Sequence, residues 1–587
     1  MPLASVSDFT NRDFDFLIVG GGTAGLTIAA RLSGDPSLVI GVLEAGSDGR
    51  DEGAITDSGR ALQTIGTKYD WQFDTVPQAA LGGRIVPWPR GKVLGGSSAL
   101  NLMTWNRGCK EDYDAWASLG NKGWTWDDLL PFFKKCEGFH VPNDEIREAK
   151  RQYYDSRAIG HDGPVHASYS EAYSKINQLS YDTYRSLGVP ENTTHHAGSN
   201  VGVWTNLATV NPSDKTRSYA ASAYYTPNAS RSNLFVLTDA LVEEVVLAGD
   251  HEECVATGIR FKHGNEIYSA SAAREVILSA GSVQSPQLLE LSGVGNPDIL
   301  SKVGIEVKVA NNNVGENLQD HPVTISVFEV DSSLRKAHKS APVASMCYLP
   351  IADIVSEEEY RDLVTRIESL ETLHPDKGTI AKSRFHRDQK LGQFEFILDI
   401  NNFNSQFQPD PTEGKLYASV MQIIQYPFSV GNLHIRPSLD GRPTASDQPM
   451  IDPGYYAGAH GKLDLEIMTR CIRFSDKLCE TTPLADFVHK RAYPPPSIES
   501  DEQLRKWVID DTSTDWHPVG TCAMGGFGGI KTGVVDERLR VYGVERLRVA
   551  DASIMPLQVS AHLQATVYAI GEKAAHMILE DMIERRN

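Results

Sequence analysis

Apolar and polar positions change period several times along this chain. Residues 15–19 (DFLIV) run apolar into a glycine cluster. Small and apolar residues then recur at helical spacing through 25–32, and a second apolar run at 38–43 ends in Leu-Glu-Ala-Gly. Such runs predict strand, turn, helix and strand. The strand-to-helix switch returns at 275–281 (EVILSAG), which leads into SVQSPQLLELSG with leucines at helical spacing. A third strand is predicted at 546–551 (RLRVAD). After a loop with Pro556 comes a closing helix over 565–583, where Val567, Ile570, Ala574, Ile578 and Met582 share one face.

Between these pieces the period is different. Residues 415–440 alternate and predict long antiparallel strands. Ser356 and Glu359 form a capping box ahead of Tyr360, Leu363, Val364, Ile367 and Leu370, so a solvent-edged helix starts there. One α/β portion is therefore built from separated pieces, with a sheet-rich portion inserted. The 587 residues suit about two to four domains. No window of about 18 apolar residues marks a membrane span.

The glycine cluster has a chemical reading. Gly20, Gly22 and Gly25 fit G-x-G-x-x-G: the first turns the strand sharply, the second admits a pyrophosphate to the backbone, and the third lets helix and strand pack closely. The helix start offers free N–H groups and a positive dipole end. Glu44, at the end of the second strand, is placed to accept both ribose hydroxyls of an adenosine. This pattern alone serves NAD and FAD equally.

Composition narrows the partners. The net charge of −20 repels phosphate backbones and argues against nucleic acid. The seven cysteines show no CxxC and no metal-like spacing, so no metal site is expected. Cys471 and Cys479, on one predicted helix, sit about 12 Å apart, too far for a disulfide. No apolar segment flanked by positive charge opens the chain, which favours an intracellular enzyme over a secreted one. The sequons at Asn192 and Asn228 would matter only in a secreted protein.

Longer motifs separate the cofactors. RGKVLGGSSALNLMTWNRG (90–108) and GSVQSPQLLELSGVG (281–295) resemble the two signatures of the glucose–methanol–choline (GMC) family of FAD-dependent oxidoreductases. VGENLQDHP (314–322), DWHPVGTCAMG (515–525) and RLRVADASIMP (546–556) resemble further family blocks, in the family's order. The resemblance, of the fungal alcohol oxidase and dehydrogenase type, implies FAD. It also implies a discontinuous Rossmann-like α/β domain (1–165, 230–325, 505–587) and an inserted α+β substrate domain with an antiparallel sheet (166–229, 326–504).

The resemblance assigns Gly20, Gly22, Thr23, Ala24, Gly25 and Glu44 to the dinucleotide. It assigns Arg90, Gly91, Val93, Gly95, Gly96, Ser97, Asn101, Leu102 and Met103 to the flavin and pyrophosphate, and Val242 to the adenine. Asp551 and Ala552 fall at the diphosphate or ribityl chain, and His562 and Gln564 at the start of the last helix. Some choline-oxidising relatives attach FAD through a histidine where this chain has Leu100, so the FAD is expected to be non-covalent.

Removing hydride from an alcohol carbon requires a hydride acceptor, flavin N5, and a proton acceptor titrating near neutrality, which points to histidine. His517 matches the family's catalytic histidine and is expected to be the base. His562 is expected to orient the hydroxyl, with the reverse assignment of the two histidines as the alternative. Oxygen or another acceptor then reoxidises the flavin. A relative using FAD without net redox, such as a lyase or cyclase, is the alternative. Val430 departs from the S-R-G of many relatives, so substrate preference does not transfer. If Phe394, Phe396, Phe403 or Phe407 faces the pocket, an aromatic or otherwise apolar primary alcohol is favoured over a sugar.

Overall fold

Strands from three distant parts of the chain make the first sheet. In this computed structural model, residues 3–170, 173–249, 253–335, 345–371, 375–438 and 441–584 are described. The sheet order is Leu234–Leu237, Ile40–Leu43, Asp13–Val19, Glu266–Leu278, Val255–His263 and Ala240–Ala248, with Leu547–Val549 added beside Glu266–Leu278. The first three strands, the end of Glu266–Leu278 and Leu547–Val549 run parallel, while the last three of the order form an antiparallel meander. A parallel sheet needs both faces covered. The helix Thr23–Leu32 packs on the strands Asp13–Val19 and Ile40–Leu43, and the helix Gln564–Glu584 packs on that helix at Gly571, where a Cβ would lie 2.9 Å from the Cβ of Thr27.

The second sheet is antiparallel, in the order Val488–Tyr493, Pro322–Val330, Leu416–Ile424, Phe394–Asp399, Ser345–Leu349 and Gly202–Thr205. The helix Gly458–Cys479 packs against it. Each sheet has its own large apolar core. A small third cluster of Trp204, Val323, Met346, Tyr348, Ile397, Met421 and Ile423 lies on the second sheet.

The alternation at 415–440 yields one long strand, Leu416–Ile424, rather than several. It stops because Pro427 cannot donate to a ladder, and the next two N–H groups, of Phe428 and Ser429, go to the buried carboxylate of Asp464. The helix after the Ser356 capping box is present as Glu357–Glu368. Residues 219–225, expected in the inserted portion, pack in the first core through Tyr219, Tyr224 and Tyr225. All seven cysteines are buried and free. Asn192 is buried, and its amide donates to the carbonyls of Ser199 and Val201, which removes that sequon from solvent.

The short strand Asn432–His434 docks on the helix Gly281–Leu291 through an ion pair. His434 Nδ1 lies 2.7 Å from Glu290, and Nε2 lies 3.1 Å from Glu316. Burial opposes the charge on His434, but the two carboxylates outweigh it and raise its pKa to about 9. Burial also pushes Glu290 up, so the pair contributes less to folding than the His434 shift alone suggests. A histidine pKa raised on folding contributes stability below pH 6.5 that is lost as pH climbs through 9. The thermal midpoint of the wild type is therefore expected to fall between those values, and His434→Gln to flatten that part of the profile. Parallel profiles in differential scanning calorimetry would refute this.

Candidate active site

The two glycine turns meet backbone to backbone. A Cβ on Gly96, whose φ is +54°, would lie 2.8 Å from Gly22 Cα. A Cβ on Gly25 would lie 2.0 Å from the carbonyl oxygen of Gly20, so the first helix can sit on its strand only with glycine there. Glu44 braces the turn: its oxygens accept the N–H groups of Gly21 (2.9 Å) and Gly46 (2.8 Å). Burial pushes its pKa up to about 7.

A single cavity is lined by Gly20, Gly22, Thr23, Ala24, Glu44, Arg90, Gly91, Gly96, Ser97, Leu100, Asn101, Leu102, Val242, Asp551, Ala552 and Gln564, together with His517 and His562. Four sequence-predicted residues are not in its wall. Gly25 packs beneath Gly20. Val93 is fully buried and bridges Ser47. Gly95 gives its N–H to Gly21 and faces Tyr219. Met103 is buried in a separate cluster with Ala61, Ala208 and Val210. These four shape the turns from behind. Asp551 reaches the wall, but its oxygens accept from Gly281 N, Ser285 Oγ and Ser553 N, so it clamps its own loop to the start of the helix Gly281–Leu291. The closing helix presents its first residues, including Gln564 and Val567, to the cavity.

At one end of this cavity the rings of His517 and His562 stand edge to face, 4.8 Å apart. His517 is fixed by its own N–H, which donates to Asp320 Oδ1 at 2.8 Å, and by Gln558, whose amide donates to its carbonyl. His562 is fixed by its N–H to Asn106 Oδ1 and by Asp112, which accepts from both N and Oγ of Ser560 two residues earlier. The cis-proline-free turn at Trp516–Pro518 carries a positive φ at Trp516, +62°, which swings the ring of His517 into the cavity wall.

The two imidazoles have different environments. Burial opposes charge on His562, but Glu395, 3.0 Å from Nε2, outweighs it and raises the pKa above 6.5. Burial pushes His517 well below 6.5, helped by the charges of His562 and Arg90. The Nδ1 atoms of His517 and His321 are 3.0 Å apart and share one proton. Asp515 Oδ2, 3.1 Å from His517 Nδ1, favours that proton on His517. The backbones of Val559 and Gln425 favour the protonated form of His321, although burial pushes its pKa well below 6.5. A proton held at Nδ1 of His517 leaves its Nε2 with a free lone pair.

Three of these residues escaped sequence reasoning. Glu395 had a visible signal, an acid flanked by two phenylalanines in the apolar strand QFEFILDI. His321 and Asp515 lay inside motifs whose residue roles had not been separated. The condition set for the phenylalanines, that one of them face the pocket, is not met. Side chains alternate along a strand, so Phe394 and Phe396 join the second core, while Glu395 and Ile397 face His562 and the small third cluster. Phe407 packs on Tyr417 and Tyr493, and Phe403 borders the third cluster. None of the four lines the cavity, and Val430 is exposed.

A parallel sheet with a glycine turn, joined to a cavity ending in two imidazoles, defines a nucleotide-cofactor oxidoreductase. Residues 14–323 and 427–571 match the description GMC oxidoreductase, and the chain belongs to that family. It is 36% identical to dehydrogenase citC of Monascus ruber over 99% of this chain and 98% of the relative. It is 31% identical to human mitochondrial choline dehydrogenase, covering 98% and 91%. An FAD-dependent oxidoreductase from Chaetomium thermophilum superposes with a TM-score of 0.86 at 26% identity, covering 97% and 100%. The protein is an FAD-dependent oxidoreductase acting on CH–OH donors.

The contact between the turns has a direct test. Gly96→Ala forces Cβ against Gly22 and strains a positive φ. Purified Gly96→Ala is expected to carry much less flavin per chain, read from absorbance at the flavin band, with an unchanged far-ultraviolet circular dichroism spectrum. Full flavin content would refute the tight contact.

Proposed function

We propose that this enzyme oxidises an apolar primary alcohol to its aldehyde, with His517 as base and His562 as the group that orients the hydroxyl. The portion built on the first sheet holds the cofactor, and Glu395 on the second sheet positions His562. The observation that carries this reading is the pair of imidazoles, one shifted down in pKa and the other up, in the wall of a cavity lined by both glycine turns.

The cavity wall suits FAD. It combines turns that a Cβ would fill, a carboxylate near the nucleotide turn and two helix starts. Leu100 in that wall offers no attachment point, so the FAD is held non-covalently. Bound FAD supplies the hydride acceptor. His562, kept protonated by Glu395, donates a hydrogen bond to the alcohol oxygen. His517 takes the hydroxyl proton at Nε2 because His321 and Asp515 hold its own proton at Nδ1. Asp515 faces the imidazolium that forms, at 3.1 Å. Apolar preference rests on the cavity wall itself, where Ile65, Trp71, Leu100, Leu102, Trp516 and Leu563 supply apolar surface.

His517→Ala is expected to lower alcohol-driven flavin reduction by about 10²–10⁴-fold while FAD stays bound. The assay is anaerobic bleaching of the flavin by aliphatic and aromatic primary alcohols, with glucose as the contrasting donor. Near-wild-type rates in the variant would remove His517 from the mechanism. A flavin that no alcohol bleaches would favour the lyase or cyclase alternative.

A further inference from the structure

Behind the base, three donors converge whose spacing also suits a metal ion. His321 Nδ1 is 3.0 Å from His517 Nδ1, and Asp515 Oδ2 is 3.1 Å from the same atom. One ligand atom from each residue lies within 4.8 Å of the others. Around a tetrahedral zinc ion with bonds of about 2.0–2.1 Å, donor atoms are roughly 3.3 Å apart. Two imidazoles and one carboxylate, already near that spacing, need only small movements to close on an ion.

A further observation points to a ligand. Asp515 Oδ2 is buried without a hydrogen bond of good geometry, despite its closeness to His517. His321 is fully buried. No arginine or lysine pairs with Asp515 among the described residues. Asp515 and His517 line the cavity, which gives an ion its entry path. A second donor set, Glu395, Asp515 and His562, shares Asp515. It is the weaker candidate, because Glu395 and His562 already satisfy each other.

We propose that His321, Asp515 and His517 form a latent site for a divalent transition-metal ion of the zinc class, and that the ion switches the enzyme off. The ion takes the place of the proton shared between the two Nδ1 atoms. An imidazole that coordinates through Nδ1 carries its ring proton on Nε2. The proton of His517 therefore moves from Nδ1 to Nε2, and any proton on Asp515 leaves to solvent. No electron is transferred. The Nε2 of His517 then presents an N–H to the cavity and cannot accept the alcohol proton. Ligation rests on geometry alone; only the loss of turnover rests on His517 being the base.

The test uses metal-stripped holoenzyme and Zn²⁺. Equilibrium dialysis is expected to find one zinc ion per chain, bound at micromolar concentration and removed by EDTA. His321→Asn and Asp515→Asn are each expected to weaken binding about tenfold or more, with flavin content unchanged. Under saturating zinc, alcohol-driven flavin reduction is expected to fall at least tenfold and to return with EDTA. Absence of a stoichiometric ion, or equal affinity in both variants, would overturn the site. Stoichiometric binding with undiminished turnover would overturn the switch. Dialysis reads the ion without turnover, so it stands apart from a failure of the alcohol reading.

Discussion

Buried carboxylates that accept backbone N–H groups from distant segments hold this site together. Asp320 takes the N–H of His517, and Asp112 takes that of Ser560 beside His562. Asp551 joins Gly281 to Ser553, Glu44 joins Gly21 to Gly46, and Asp464 takes the N–H groups of Phe428 and Ser429. A carboxylate out of water is costly unless its oxygens are paired. Each of these is paired with a loop that has no ladder of its own, so both groups are satisfied together. Burial pushes Asp320 up to about 6, which shows how much desolvation these contacts must offset. Irregular loops from opposite ends of the chain thereby meet at one place with fixed geometry.

The same logic divides labour between two chemically identical side chains. His562 has a fully buried carboxylate against Nε2, which raises its pKa against the opposing effect of burial. His517 is pushed well below 6.5 by burial and by the charges of His562 and Arg90. Two rings 4.8 Å apart are thus shifted in opposite directions by what surrounds them. An oxidation that starts by removing a proton from a hydroxyl needs this asymmetry, since a protonated base is no base and a neutral donor pair orients weakly.

Much of this was legible in the chain. The first strand, turn and helix follow from period and glycine spacing, and the separated strands at 275–281 and 546–551 announced a discontinuous sheet. The imidazoles were legible through their motifs. Glu395 and His321 were not, because their roles depend on which strand face they occupy and on a partner about 170 and 200 residues away. Strand parity decided the phenylalanines too: a one-residue offset separates the core face of Phe394 and Phe396 from the site face of Glu395. Periodicity gives the alternation but not which phase meets the cavity. The end of the alternating stretch at 424 was hidden for a related reason, since Asp464, which captures the next N–H groups, is 35 residues downstream.

The account stands on the placement of both imidazoles at the reacting edge of the cofactor. A crystal structure of the FAD-bound protein with an unreactive alcohol analogue measures this most directly. The account predicts the isoalloxazine between the Gly96 turn and the imidazoles, with the analogue's oxygen within hydrogen-bond distance of both His517 Nε2 and His562. An isoalloxazine elsewhere in the cavity, or an analogue oxygen out of reach of His517, would contradict it.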